Sequence, residues 1–167
     1  MLTVGLVTLL SGAIAWSAEA TRTCRGQAYD LAARFAGTWE EYTVANGRES
    51  LEGVLTTTLE ASGCALTQTF VSRDGSLSFR TLGYVEPESG QWTETYVLSN
   101  GQVASYRWRA AGEEIIFDRV SGDPQSNLRY RIRFLNTDTY EVLQERAPTG
   151  SSAWRTQTRT ITRRVAT

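Results

Sequence analysis

The sequence of 167 residues contains no histidine, and all 17 of its basic residues are arginine. A Ser-His-Asp or Cys-His catalytic site, a histidine-ligated haem or zinc and a Schiff-base lysine are therefore excluded. No phosphate-binding loop, nucleophile elbow, calcium loop or metal-ligand cluster occurs either. The sequence thus predicts no cofactor, no metal site and no identifiable catalytic residue. Any chemistry must use Asp, Glu, Tyr, Arg, Ser or Thr.

The chain also lacks an excess of charge of either sign. Its formal net charge is −1, and hydrophobic residues make up 41% of it, which favours a folded domain. A nearly neutral domain has no general electrostatic attraction to nucleic acid or anionic lipid. We therefore expect no nucleic-acid partner. Integral association with a membrane is not expected either, because a membrane barrel turns an apolar belt outward, whereas residues 128–134 would place three arginines in lipid or in a narrow lumen. The oligomeric state is not predicted.

The amino terminus resembles an export signal. Residues 1–20 contain an apolar stretch that is too short to span a bilayer comfortably, followed by the small-x-small triplet Ala18-Glu19-Ala20. This pattern predicts a signal peptide over residues 1–20 and a mature domain over residues 21–167, located in the periplasm or secreted. An uncleaved anchor is the alternative, since no Lys or Arg precedes the apolar stretch.

Two cysteines, Cys24 and Cys64, lie beyond the predicted cleavage point. Export would place them in an oxidising compartment, which favours a disulfide that closes a loop of about 40 residues. The alternatives are two buried free thiols or a redox-active pair, and the absence of C-x-x-C spacing weighs against the redox pair.

Periodicity divides the chain into one helix and many strands. Residues 27–36 have helical spacing, with Gly37 expected to end the helix. From Trp39 onward, apolar residues alternate with polar ones, most clearly over residues 128–134. Short turn signals such as Asn100-Gly101 separate the segments and predict an antiparallel meander. The predicted strands are residues 38–45, 53–61, 64–72, 77–86, 91–99, 102–110, 113–121, 128–134, 139–146 and 153–165.

About ten consecutive strands would leave two exposed edges in an open sheet, whereas closure into a barrel removes them. The predicted fold is therefore a mainly β, single antiparallel up-and-down barrel with a short N-terminal helix. The last strand has no clear inward face. In the other strands, the side chains expected to face inward are Trp39, Glu41, Leu66, Gln68, Phe70, Phe79, Trp92, Glu94, Tyr96, Tyr106, Trp108, Tyr130, Ile132, Tyr140, Val142 and Gln144.

The segment Phe35-Ala36-Gly37-Thr38-Trp39 resembles the G-x-W signature of lipocalins and related calycin barrels. In those families the motif follows a short helix and opens the first strand. The mature chain as a whole resembles bacterial exported lipocalin-like domains of unknown function. The resemblance implies a barrel in which an arginine of the last strand packs over the tryptophan, with Arg159 or Arg163 expected in that role. It implies no settled activity.

Three groups of residues are candidates for function. The predicted ligand-binding residues are inward aromatic rings and two glutamates: Trp39, Glu41, Trp92, Glu94, Tyr96, Tyr106, Trp108 and Tyr130. The rings could instead fill the barrel. The glutamates could instead form internal ion pairs with Arg107 or Arg159, or lie in water. The third group is the row Arg129, Arg131 and Arg133, which could hold an anion but is more typical of a solvated outer face paired with Glu141 and Glu145.

The favoured function is binding of a small apolar or amphipathic ligand inside the barrel, and binding is favoured over catalysis. Two alternatives remain. One is an enzyme that acts on a small lipophilic substrate through inward Glu and Tyr groups. The other is a structural or interaction module of the cell envelope, whose interior would be filled. The size of the interior cavity separates this module from the first two.

Overall fold

The computed structural model describes residues 23–121 and 126–166. One helix, α1 (Gln27–Arg34), precedes the sheet. The predicted signal peptide over residues 1–20 lies outside the described residues. The strands in the described part of the chain are β1 (Gly37–Ala45), β2 (Arg48–Glu60), β3 (Ala65–Ser72), β4 (Ser78–Val85), β5 (Trp92–Leu98), β6 (Val103–Ala111), β7 (Glu114–Arg119), β8 (Ser126–Asn136), β9 (Thr139–Pro148) and β10 (Arg155–Arg164).

The strands form a closed antiparallel barrel in which each pairs with its neighbours in sequence and β1 pairs with β10. This confirms the predicted fold class. Every side chain predicted to face inward is either buried or lines the interior cavity. Alternation of apolar and polar residues fixes this register, because a slip by one residue would turn a strand's apolar side chains toward water.

Helix α1 closes one end of the barrel. Its Ala32 is buried, and the following Phe35 inserts its ring against Trp108, Phe134 and Tyr140, with ring centroids 5.6, 5.0 and 5.4 Å away. The predicted helix over residues 27–36 is confirmed, although it ends at Arg34 rather than at Gly37. Beyond Arg34, the backbone N–H groups of Phe35 and Ala36 donate to the carbonyls of Ala32 and Ala33, which tightens the last turn, and the Phe35 ring enters the barrel.

The G-x-W segment joins this helix to β1. Trp39 is fully buried and donates its indole N–H to the carbonyl oxygen of Phe35 at 2.7 Å. The guanidinium of Arg164 covers the indole ring, 4.0 Å from its centroid, and donates a hydrogen bond to the carbonyl of Ala36 at 2.6 Å. Gly37 has φ 122°, and a Cβ at that position would collide with the Arg164 guanidinium. Only glycine therefore fits this position.

The expectation that Arg159 or Arg163 covers the tryptophan is wrong. Arg164 lies opposite Trp39 in the β1–β10 register and shares its inward face. The other two arginines point outward, where Arg159 pairs with Glu141 at 2.7 Å and Arg163 pairs with Glu49 at 2.8 Å. Thr and Arg occupy both faces of β10, and its one apolar residue, Ile161, lies on the outward face opposite Tyr42, so apolar alternation does not indicate the inward face.

Strand β2 begins five residues earlier than its predicted start at residue 53. Asn46 and Gly47 both have positive φ, 52° and 72°, as a two-residue hairpin requires, and Arg48 pairs with Ala45 directly beyond them. Residues 48–50 are exposed. They extend the hairpin beyond the core, where alternation of apolar residues gives no signal.

Cys24 and Cys64 form a disulfide, which confirms the predicted pairing. The bridge ties the segment before α1 to a single 3₁₀ turn at Ala61–Gly63, and the backbone N–H of Thr23 donates to the carbonyl of Ser62 at 3.0 Å. An intramolecular disulfide indicates an oxidising compartment. In the part of the chain that the structure describes, no helix is both long enough and apolar enough to cross a membrane.

The arginine row of β8 lies on the outer wall, as the more typical of its two interpretations predicts. Arg129 pairs with Glu145 at 2.6 Å and Arg133 pairs with Glu141 at 3.1 Å. Arg131 pairs with Glu114 of β7 at 2.6 Å and also contacts Glu145 at 3.3 Å. These cross-strand pairs satisfy the arginines with neighbouring carboxylates.

Candidate functional site

The barrel interior contains a cavity of about 740 Å³. It reaches the end of the barrel remote from α1, because the exposed residues Gln102 and Val103 are among its lining. Aromatic and aliphatic side chains form most of the wall, and polar side chains of Glu, Gln, Arg and Thr make up the rest. The lining residues include Glu41, Gln68, Phe70, Phe79, Tyr96, Tyr106, Trp108, Phe117, Arg119, Leu128, Tyr130, Ile132, Tyr140, Val142, Gln144, Arg146, Thr158 and Thr160.

Below the cavity, packed aromatic rings fill the end that α1 closes. The rings of Trp92 and Trp108 lie 5.0 Å apart, Trp108 lies 4.4 Å from Phe117, and Tyr29 of α1 packs edge-on against Trp92 at 5.9 Å. We call this region the aromatic floor. Gly83 makes room for it, because a Cβ at Gly83 would stand 2.7 Å from the Trp92 indole nitrogen.

Glu94 lies within the aromatic floor and is completely buried. Both of its carboxyl oxygens lack a hydrogen-bond partner among the described residues. Burial raises the pKa of Glu94 from 4.5 to about 7. The side chains of Thr81, Trp108 and Tyr96 face the carboxyl group and oppose this rise, although none reaches its oxygens with hydrogen-bond geometry. Glu94 is therefore neutral below pH 7, which lowers the cost of burying it.

Glu41 is the carboxyl group of the cavity wall. It belongs to β1, next to Trp39 on the inward face, and lies inside the barrel with part of its surface accessible from the cavity. Desolvation raises the pKa of Glu41 from 4.5 to about 7, and the charge of Glu52 on β2 adds to the rise. A carboxyl group with this pKa can donate a hydrogen bond below pH 7 and accept one above it.

Aromatic rings form a continuous chain around the cavity. The rings of Phe70, Phe79, Tyr96, Tyr106 and Tyr130 follow one another at centroid distances of 5.1, 5.3, 5.2 and 5.5 Å. Burial raises the pKa of Tyr96 well above its ordinary value, and the pKa of Tyr106 and Tyr130 is raised by the same cause. The three phenols are therefore neutral at physiological pH, and their hydroxyl groups can donate hydrogen bonds.

Two arginines line the cavity at the end remote from α1. Arg119 ends β7 and lies opposite Tyr106 in the β6–β7 register, and its Nε donates to the carbonyl of Ser121 at 2.8 Å. Arg146 lies near the end of β9, opposite Leu128. Both guanidinium charges oppose the burial effect and partly offset the rise in the pKa of Tyr106 and of Tyr130, so their positive potential acts on the cavity wall.

The structure divides the eight predicted ligand-binding residues into two groups. Glu41, Tyr96, Tyr106 and Tyr130 line the cavity, and Trp108 of the aromatic floor borders it from below. The other three, which belong to the packed end beneath it, are Trp39, Trp92 and Glu94.

The ion-pair alternative for the two inward glutamates is wrong. Arg107 contacts Glu86 at 3.6 Å on the outer wall, and Arg159 pairs with Glu141 there. The glutamates face the interior, while these two arginines project from the opposite side of the sheet.

Sequence reasoning missed the lining residues Arg119, Arg146 and Thr158. The alternation Ile115, Phe117 leads directly to Arg119, and the inward run through Val142 and Gln144 leads to Arg146. Continuing each pattern by one step would have found both arginines. Within residues 23–121 and 126–166, no group of three or more Cys, Asp or Glu side chains is placed to hold a metal ion.

Comparison with known proteins locates the fold rather than a family. No protein-family model matches the chain, and no curated protein matches it in sequence. Among solved structures, the barrel is similar to an S-type phycobiliprotein lyase, CPES, from Guillardia theta. The match has a TM-score of 0.50 and 11% identity, and it covers 86% of this chain and 95% of the lyase. At this identity the likeness supports a shared barrel fold and nothing finer.

Proposed function

We propose that the protein binds one small apolar or amphipathic molecule inside its barrel. The observation that carries this proposal is the cavity of about 740 Å³ above the aromatic floor. Ligand sites of roughly 300–1,000 Å³ are typical of proteins, and they combine apolar walls with a few placed polar groups. Resemblance to the bacterial lipocalin-like domains, together with a solved lyase of similar fold, is consistent with a ligand-binding barrel.

The cavity also weighs against a structural module with a filled interior. Helix α1 and the aromatic floor occupy one end, yet the rings of Phe79, Tyr96 and Tyr130 above them border open space. A void of this size forfeits packing contacts among its wall residues. A bound molecule would restore those contacts.

The proposal includes export. We infer that residues 1–20 are a signal peptide and that residues 21–167 form the mature barrel domain, in the periplasm or outside the cell. The disulfide between Cys24 and Cys64 supports this location, because such bridges persist in oxidising compartments.

A second candidate is an enzyme that acts on the molecule held in the cavity. Glu41 favours it, since a carboxyl group with a pKa of about 7 on a cavity wall is suited to general acid–base catalysis near neutral pH. Glu41→Gln would separate the two functions. Loss of turnover with retained ligand favours catalysis, whereas ligand retention without turnover in either protein favours binding.

Native mass spectrometry of protein purified from its exported form tests the proposal directly. We expect an added mass that disappears on denaturation. A fluorescence titration with phenylnaphthylamine, a neutral aromatic probe, supplies a second readout. Thr160→Phe, which places a ring in the cavity, should weaken probe binding, whereas Leu82→Phe on the exposed outer wall should not. Absence of both a copurified mass and probe binding would refute the proposal.

A further inference from the structure

The charged groups of the cavity wall are segregated along the barrel. Arg119 and Arg146 lie near the strand ends remote from α1, whereas Glu41 is in the middle of β1. The wall between them includes the ring of Tyr130 and the uncharged polar side chains of Gln144, Thr158 and Thr160, so no other charged group lies between the arginines and the carboxyl group among the described lining residues. A molecule lying along the cavity would therefore meet positive charge at the outer end and a carboxyl group further in.

The register places the two arginines two strands apart on the same inward face. Tyr106 pairs with Arg119, and Leu128 pairs with Arg146. Asp118 of β7 lies opposite Arg129 of β8, so Arg119 and Leu128 form the next cross-strand pair in this antiparallel register. The two arginines thus flank Leu128 in one cross-strand row and face the same side, with backbones about 10 Å apart at ordinary strand spacing. Two arginine side chains reaching inward can close on a single carboxylate or sulfonate.

The tyrosines extend this anion-binding region. Tyr106 and Tyr130 have rings 5.5 Å apart, and both phenols experience the positive charge of Arg119 and Arg146. A neutral phenol donates a hydrogen bond, and anions are stabilised by several such donors together. We call these four residues, Arg119, Arg146, Tyr106 and Tyr130, the anion subsite.

Glu41 gives the deeper half of the cavity a different electrostatic character. Its carboxyl group acts electrostatically on Tyr96, Tyr130 and Tyr140, so it faces the same interior space. When ionised, it repels an anion from the deeper half of the cavity. The deeper half accordingly favours an uncharged body that can offer a hydrogen-bond donor.

Building on the proposed function, we propose that the ligand is an amphipathic anion, with its acidic group in the anion subsite and its apolar, aromatic-sized body directed toward Glu41. The cavity volume of about 740 Å³ admits such a body in full. Apolar contacts with the aromatic rings around the cavity supply affinity, and the two arginines select for the acidic group.

Two matched probes test this assignment. Anilinonaphthalene sulfonate and phenylnaphthylamine share an aromatic body, but only the first carries an anion. We expect Arg119→Gln and Arg146→Gln each to weaken sulfonate binding by about tenfold, the range of one lost charge-assisted contact. The neutral probe should change by less than about twofold, since it makes no ionic contact. Arg80→Gln on β4, whose side chain lies on the outer face, is the matched control and should affect neither probe.

The outcomes separate the two levels of the proposal. If the neutral probe binds in the cavity and the arginine variants weaken both probes equally, or neither, the anion subsite is refuted while the binding function stands. If the wild-type protein binds neither probe and copurifies with no ligand, the binding function itself fails. Near-ultraviolet circular dichroism of each variant checks that the barrel is intact, and a double Arg119→Gln, Arg146→Gln variant that retains sulfonate affinity also refutes the subsite.

Discussion

Replacement of the buried Glu94 by glutamine should stabilise the protein at high pH and leave its stability at low pH nearly unchanged. Glu94 is fully buried without a hydrogen-bond partner for its carboxyl oxygens among the described residues, and burial raises its pKa from 4.5 to about 7. The folded state therefore binds a proton more tightly than the unfolded state does. Stability is full below pH 4.5 and falls as the pH rises through 7.

The size of the effect follows from the two pKa values. One pKa unit corresponds to about 1.4 kcal/mol, so ionisation of Glu94 costs the folded state about 3 kcal/mol at alkaline pH. Glutamine has nearly the same shape and does not ionise. The difference in free energy of unfolding between Glu94→Gln and wild type should accordingly grow from near zero below pH 4.5 to about 3 kcal/mol above pH 7.

Urea denaturation at several pH values measures this difference. Glu113→Gln, in the exposed β6–β7 turn, removes the same charge from the surface and should show no comparable growth with pH. A stability difference for Glu94→Gln that is the same at acid and alkaline pH would refute the reasoning, because the pKa of Glu94 would then be the same in the folded and unfolded states.

Three further perturbations have defined outcomes. Reduction of the Cys24–Cys64 disulfide should lower the melting temperature while the far-ultraviolet β signal persists, since a loop of this size contributes about 4 kcal/mol in the chain-entropy model; equal melting temperatures with and without reductant would contradict this. Arg164→Met should lower the free energy of unfolding, measured by urea denaturation, by about 2 kcal/mol, because Arg164 covers the buried Trp39 ring and donates a hydrogen bond to a backbone carbonyl. The control Arg163→Met removes an exposed ion pair and should lower it by less than about 1 kcal/mol. Binding of anilinonaphthalene sulfonate should weaken as the pH rises through 7, as Glu41 ionises and repels the anion, and Glu41→Gln should abolish that dependence; an unchanged pH profile in the variant would assign the titration to another group.

The order of strands and the inward faces could be predicted because one physical signal repeats along the chain. In β8, Leu128, Tyr130 and Ile132 alternate with arginines, and each arginine finds a carboxylate partner outside the barrel. Burial of one face and solvation of the other leave a single workable register. The same signal is missing from β10, where Thr158 and Thr160 face the cavity and the single apolar residue, Ile161, lies on the outward face with Arg159.

The division between cavity and aromatic floor could not be predicted from alternation. Alternation shows that a side chain faces inward, but it does not show whether that side chain packs against another ring or borders the cavity. Trp92 contacts Tyr29 of α1 and is packed, while Tyr130 borders the cavity two strands beyond Tyr106. How far the helix and Phe35 enter the barrel decides which case applies, and that depth depends on packing in three dimensions.

This division assigns different consequences to similar substitutions. A ring lost from the aromatic floor leaves a void among fully buried neighbours, so Trp92→Ala should act mainly on stability, in the range of about 3–5 kcal/mol. A ring lost from the wall of the cavity enlarges a space that is already open, so Tyr130→Ala should destabilise the free protein less and weaken ligand binding more. The helix, Trp39 and the disulfide pack and cross-link the same end of the barrel, so substitutions there act on the packed core rather than on the ligand space at the other end.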